Sequence, residues 1–287
     1  SNCYFKFNFA RYTSLNNNRM IYLLNRFHYF FIFLILFLIT LVCWIYTFLG
    51  IGMEVSAWKM TLYKYQLGSS MMNIINMAER STNVIYLLSL FFMWFLMMIA
   101  MMLPSAIPVI IMFDKISNER KKLNYKFVPT INFTLSYLLI WALFSFFATI
   151  IHVFLEFFKI LSPTSLSVGY FYGGFLFIVA GIYQITPLKY ACLRYCRNPV
   201  EILGGKNIFN NLSAFYIGMK HGIFCVGCCW VLMLLLFYVG IMNIFWIIGL
   251  SSYMMVEKYF FQENKFSFFT GLILIFWGIG ILYSYYN

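Results

Sequence analysis

Stretches of about 18 or more predominantly apolar residues recur along this chain, and that length crosses a hydrocarbon core about 30 Å thick at about 1.5 Å per residue. Such runs include Tyr29 to Leu49, Val84 to Leu103, Ile131 to Leu155, Tyr170 to Thr186 and Phe266 to Tyr283. Inside a bilayer every backbone N–H needs an internal partner, so each run reads as a helix. The runs are apolar at successive positions rather than at every second one, which excludes the strand alternation of a membrane barrel. Over 287 residues 63% are hydrophobic and 10% are charged, whereas a soluble domain carries about 25% charged side chains. The expected fold is all-α: a polytopic transmembrane helical bundle of about six or seven spans.

The +12 net charge reads by position as topology rather than as a nucleic-acid footprint. Lys6, Arg11, Arg19 and Arg26 precede the first run with no acidic residue between them, so residues 1–28 form a basic segment expected on the inside. The nearly balanced stretch 50–83 reads as external and methionine-rich. The basic stretches around Lys115, Arg120, Lys121, Lys122 and Lys126, and around Lys189, Arg194, Arg197, Lys206 and Lys220, return to the inside. Between them, Glu156 and Lys159 mark a sparsely charged external loop. Gly222 to Val256 is too long for one span and reads as a helical hairpin turning near Met242 and Asn243. The last span then leaves the C-terminus outside. Residues 29–287 are expected to form a single membrane domain, with no cleavable signal evident.

Soft-donor side chains gather in three segments. Met97, Met98, Met101 and Met102 lie three and four apart, which places thioethers together on one helical face just before Pro104-Ser105. Thioether sulfur suits copper(I), and methionine is equally a flexible filler of helix interfaces. Cys192 and Cys196 stand one turn apart between Pro187 and Pro199, the frame of a short interfacial helix, and read either as joint ligands or as ordinary buried cysteines. His221, Cys225 and then Cys228 or Cys229 follow one helical stripe, with Met233 beyond. Topology brings all three segments to the internal membrane boundary, where the reducing compartment disfavours disulfides. Gly218 and Gly222 would let another helix approach there. His28 and His152 read as packing or interfacial side chains, Asn243 as a cap or turn residue, and Glu257 and Lys258 as interfacial anchors. No phosphate-binding loop, dinucleotide fingerprint, HExxH or Ser/His/Asp order is present, so a non-enzymatic role is expected.

These segments together resemble a largely bacterial family of predicted metal-binding integral membrane proteins of unknown function. The similarity rests on Met97 through Ala100-Met101-Met102 to Pro104-Ser105 and on Gly181, Tyr183-Gln184 and Thr186-Pro187-Leu188-Lys189 with Cys192, Cys196-Arg197 and Pro199. It continues through His221-Gly222, Cys225 and Gly227-Cys228-Cys229-Trp230, and spans about residues 50–260. The resemblance implies a metal without specifying it. Donor chemistry selects the candidate ligands His221, Cys225, Cys228, Cys229, Met101, Met102, Cys192 and Cys196 and favours copper. The expected function is a membrane copper protein for metal delivery or metalloenzyme assembly. The alternative is a metal-free accessory subunit of a respiratory or monooxygenase-type complex, its 35 Phe and 22 Tyr supplying an aromatic lateral surface. Either reading expects membrane lipids and other subunits as partners, without nucleic acid, in a bacterial cytoplasmic or mitochondrial inner membrane.

Overall fold

The structure is a computed structural model that describes residues 27–50, 84–122, 130–161, 168–197, 211–259 and 265–286. Nine helices hold nearly all of them: α1 (Phe27–Leu49), α2 (Val84–Lys122), α3 (Thr130–Phe157), α4 (Tyr170–Ile185), α5 (Pro187–Arg197), α6 (Asn211–Leu234), α7 (Leu236–Val239), α8 (Ile244–Tyr259) and α9 (Lys265–Tyr286). No strand occurs among the described residues, only an isolated bridge between Leu161 and Val168. Five spans, Phe27–Leu49, Val84–Asn118, Thr130–Phe157, Leu212–Val239 and Lys265–Tyr286, are long and apolar enough to cross a membrane. The bent pair α4 and α5 makes a sixth. The seventh expected span corresponds to α8, whose 16 residues reach about 24 Å. The basic N-terminal segment before Phe27, the stretch 51–83, and Lys126, Pro199 and Lys206 lie outside the described residues.

One boundary differs from expectation. The second span was expected to stop at Leu103, yet α2 continues through Pro104 and Pro108 for 39 residues. A proline in a helix removes one donor, here the N–H groups that would meet the Ala100 and Pro104 carbonyls, and inside an apolar bundle the helix continues through it when contacts from neighbouring helices hold both sides. Here Ser105 Oγ donates to the Met102 carbonyl at 2.8 Å, Tyr137 Oη to the same carbonyl at 3.2 Å, and Ser251 Oγ to the Met101 carbonyl at 3.1 Å. Tyr259 Oη donates to the Ser105 carbonyl. The proline pair is thus also where α2, α3 and α8 are joined.

Polar contacts set α2 antiparallel to α3 along their length. Tyr86 Oη donates to both Glu156 oxygens at 2.9 and 3.1 Å, and Trp94 Nε1 donates to His152 Nδ1 at 3.3 Å. At the other end Thr130 Oγ1 and Asn118 Nδ2 donate to Asp114, whose carboxylate also meets His28 Nε2 at 3.1 Å. His152 is a packing residue as expected, fully buried against Phe237. Glu156, expected in a loop, instead belongs to the last turn of α3 and is buried.

Thr186-Pro187 produces the 64° bend between α4 and α5. Thr186 is extended (φ −69°, ψ 145°), as a residue before proline prefers. Its Oγ1 accepts the Lys189 N–H at 3.4 Å, so Thr186 caps α5 while Pro187 fills the first helical position, where no N–H is needed. α4 packs tightly on α9 through glycines seven apart on each helix. A Cβ at Gly181 would lie 2.6 Å from the Gly271 carbonyl oxygen, and one at Gly278 2.8 Å from the Gly174 carbonyl oxygen. Small residues at this spacing let backbones touch, and in lipid that contact replaces the hydrophobic drive available in water.

The turn expected near Met242 and Asn243 is present: the chain leaves α7 at Gly240, whose φ of 105° suits glycine, and re-enters helix at Ile244. The Asn243 carbonyl accepts from Trp246 and Ile247, while its buried Oδ1 has no partner. Asn243 is therefore a turn residue whose side chain caps nothing. The arms fold back antiparallel, so Lys258 meets Cys225 at 3.2 Å about as far beyond the turn as Cys225 lies before it. Glu257 and Lys258, expected at the interface, are instead 0% and 6% exposed. The register of the hairpin carries them into the core among α2, α5, α6 and α9. These two ionisable side chains thus lie inside the bundle rather than at its surface.

Candidate metal centre

The centre is built where α6 passes α5, α3 and the end of α8. Glycines set how closely the helices approach. A Cβ at Gly218 would lie 2.1 Å from Ser136 Oγ and 2.4 Å from the Phe133 carbonyl, and one at Gly222 2.9 Å from Ile140 Cβ. α6 therefore rests directly on α3, as the spacing of Gly218 and Gly222 suggested. On its other side a Cβ at Gly227 would meet Cys192 Sγ at 2.9 Å, and Tyr183 Oη donates to the Gly227 carbonyl. Larger residues at these positions would separate the thiol-bearing helices.

Cys225, Cys228 and Cys229 are 0–1% exposed and Cys196 7%. Cys196, carried in by the bend at Pro187, stands beside Cys225 and Cys228. Cys228 and Cys229 each donate S–H to the Cys225 carbonyl at 3.0 Å. Tyr137 Oη lies 3.4 Å from Cys225 Sγ, which links that thiol to the Met102 carbonyl on α2. The described cysteines are all free. Cys192 stands half-buried at the edge, packed on Gly227.

His221, one turn before Cys225, is buried with its ring stacked on Phe133 and Tyr137 at centroid distances of 6.0 and 5.6 Å. Among the described residues its Nδ1 has no hydrogen-bond partner, which leaves a buried imidazole nitrogen available. Met101 and Met102 are fully buried on α2 one turn from Ser105. The candidate donors are thus carried on α2, α5 and α6. Among the described residues no group of three or more His, Cys, Asp or Glu side chains is arranged to hold one metal ion. What the geometry offers is a pair of neighbouring thiols, a donor set whose softness fits copper(I).

Two cations absent from the sequence-derived candidate site frame the thiols. Lys258 Nζ donates to Cys225 Sγ at 3.2 Å and to Ser105 Oγ at 3.0 Å. Lys189 Nζ is fully buried and pairs with Glu257 Oε1 at 2.6 Å. That same oxygen accepts from Ser267 Oγ at 2.7 Å and Tyr253 Oη at 2.9 Å, while Arg197 Nη2 donates to the Glu257 carbonyl at 2.9 Å. Glu257 thereby ties α5, α8 and α9 together and orients Lys258, its neighbour on the helix, toward the thiols. The signal available in the sequence was the hairpin register, which places position 258 level with position 225. Tyr137 carried no such signal.

Fold and site together define a polytopic helical membrane protein with a reduced, buried thiol cluster facing an ammonium. The chain matches the family described as PpoB2, copper chaperone, over residues 91–281, about two thirds of its length, and belongs to that family. The match includes every candidate ligand and both lysines. No curated protein and no solved structure matches the chain.

Proposed function

We propose that this protein is a membrane-embedded carrier of copper(I) that hands the ion to a metalloenzyme during its assembly. The observation that carries the reading is that the buried, disulfide-free Cys196 of α5 lies beside Cys225 and Cys228 of α6, which brings neighbouring thiols from two helices together. Isolated thiolates are costly in an apolar interior, and a bound soft cation offsets that cost. Cys225 with Cys196 or Cys228 would supply the principal ligands. The unpartnered His221 Nδ1 and the thioethers of Met101 and Met102 offer weaker donors beside them, suited to passing the ion on. Cys192 and Cys229 complete the soft surroundings.

The protein acts as a carrier rather than a catalyst, since copper is its cargo. Its basic segments would face the interior of a bacterial cytoplasmic or mitochondrial inner membrane. Membrane lipids and the receiving enzyme complex would be its partners. Binding should stabilise the folded chain, because the unfolded state lacks the assembled donors. Joint replacement Cys225→Ser and Cys228→Ser should reduce copper bound by protein purified from copper-replete membranes and lower its thermal stability, with little difference after chelation. Unchanged copper content in that double variant would refute the assignment.

A further inference from the structure

Lys258 differs from the other buried lysine in one respect. Lys189 is neutralised by Glu257 at 2.6 Å, whereas the described residues place no carboxylate against Lys258. Its partners are a hydroxyl and a thiol, Ser105 Oγ and Cys225 Sγ. Arg197, half-buried at the end of α5, directs its guanidinium to the Glu257 carbonyl. A buried ammonium with no carboxylate beside it needs another anion to face it, so this end of the centre suits a group carrying one net negative charge, a Cys225 thiolate or a metal held by two thiolates.

We infer that Lys258 is the specificity-determining residue of the centre, selecting a monovalent soft cation held by two thiolates over a divalent one. The inference rests on the copper-carrier reading above. Two thiolates and copper(I) sum to one negative charge, which the Lys258 ammonium cancels. Relative to a Cys225 thiolate paired with Lys258, the change is balanced: one copper(I) enters, one sulfur–metal bond forms at each thiol, and one proton leaves the second thiol. A dication on the same two thiolates would leave one uncompensated positive charge in a low-dielectric pocket. A third thiolate would restore neutrality for a dication, but no three His, Cys, Asp or Glu side chains among the described residues are arranged to hold one metal ion. Zinc in structural sites prefers four tetrahedral ligands. The charge of Lys258 and the pairing of the thiols therefore discriminate together.

The test uses the full chain, purified in detergent under anaerobic reducing conditions, with silver(I) as the monovalent soft probe and cadmium(II) as the divalent one. The wild-type protein should bind silver(I) in preference to cadmium(II), by competition and elemental analysis. Lys258→Met should weaken silver(I) binding at least about tenfold and shift the preference toward cadmium(II), and Lys258→Arg, which keeps the charge, should retain the wild-type preference. A merely structural role for Lys258 would weaken both ions alike without rescue by arginine, and that result overturns the inference. So does an unchanged preference in Lys258→Met while Cys225→Ser still abolishes binding, an outcome that leaves the carrier reading standing. Failure of the wild-type chain to bind either ion removes the carrier reading and this inference with it.

Discussion

Glu257→Gln tests the scaffold that holds the metal centre. The substitution keeps the size of the side chain and a carbonyl oxygen for Ser267 and Tyr253, and removes the charge that neutralises Lys189 at 2.6 Å. Both partners are fully buried, so the exposed-pair value of under about 1 kcal/mol does not apply. Removing one member of a buried pair leaves a desolvated charge and costs about 3–5 kcal/mol. Replacing both members with neutral side chains of similar size is far milder, because no unpaired charge remains. Lys189→Met combined with Glu257→Gln should therefore recover most of the loss, with a coupling of about 2 kcal/mol or more in the double-mutant cycle. Equilibrium unfolding in mixed detergent–SDS micelles, followed by tryptophan fluorescence, measures all four proteins. A loss under about 1 kcal/mol for Glu257→Gln, or simple additivity in the double variant, would refute the buried-pair argument.

Two further outcomes follow from packing and from charge placement. Gly181→Ile should destabilise the bundle by about 1–3 kcal/mol, since its Cβ would lie 2.6 Å from the Gly271 backbone, whereas Gly249→Ala and Gly280→Ala, with nothing within 4 Å, should be neutral or slightly stabilising in the same unfolding assay. Single cysteines introduced at Lys121 and Lys206 should react with an impermeant thiol reagent only from the side that holds the N-terminal segment, and labelling from the opposite side would reverse the assigned orientation.

Periodicity and composition were enough to reveal the helical class, the turn near Met242 and the stripe His221, Cys225, Cys228, because each is a local property of one segment. Pro187 and Pro199 likewise framed a short helix, which the structure shows from Pro187 to Arg197, while the capping by Thr186 was not read from the sequence. The end of α2 was misjudged because a proline need not stop a helix that its neighbours hold on both sides, and the contacts that do so around Pro104 and Pro108, from Tyr137, Ser251 and Tyr259, arrive from other helices.

The sequence by itself determined that this chain crosses a membrane as helices and that its soft donors lie near one another in depth, since hydropathy and helical spacing act within each segment. Only the tertiary structure decided which donors meet. It set Cys196 beside Cys225 and Cys228, packed Cys192 on Gly227, and seated His221 against aromatic rings of α3. It also turned Glu257 and Lys258 from apparent surface anchors into the charged lining of the centre. The physical reason is that a buried charge is tolerable only beside its counter-charge, and the partners of Glu257 and Lys258, at positions 189 and 225, come within reach only after the hairpin closes and α5 bends.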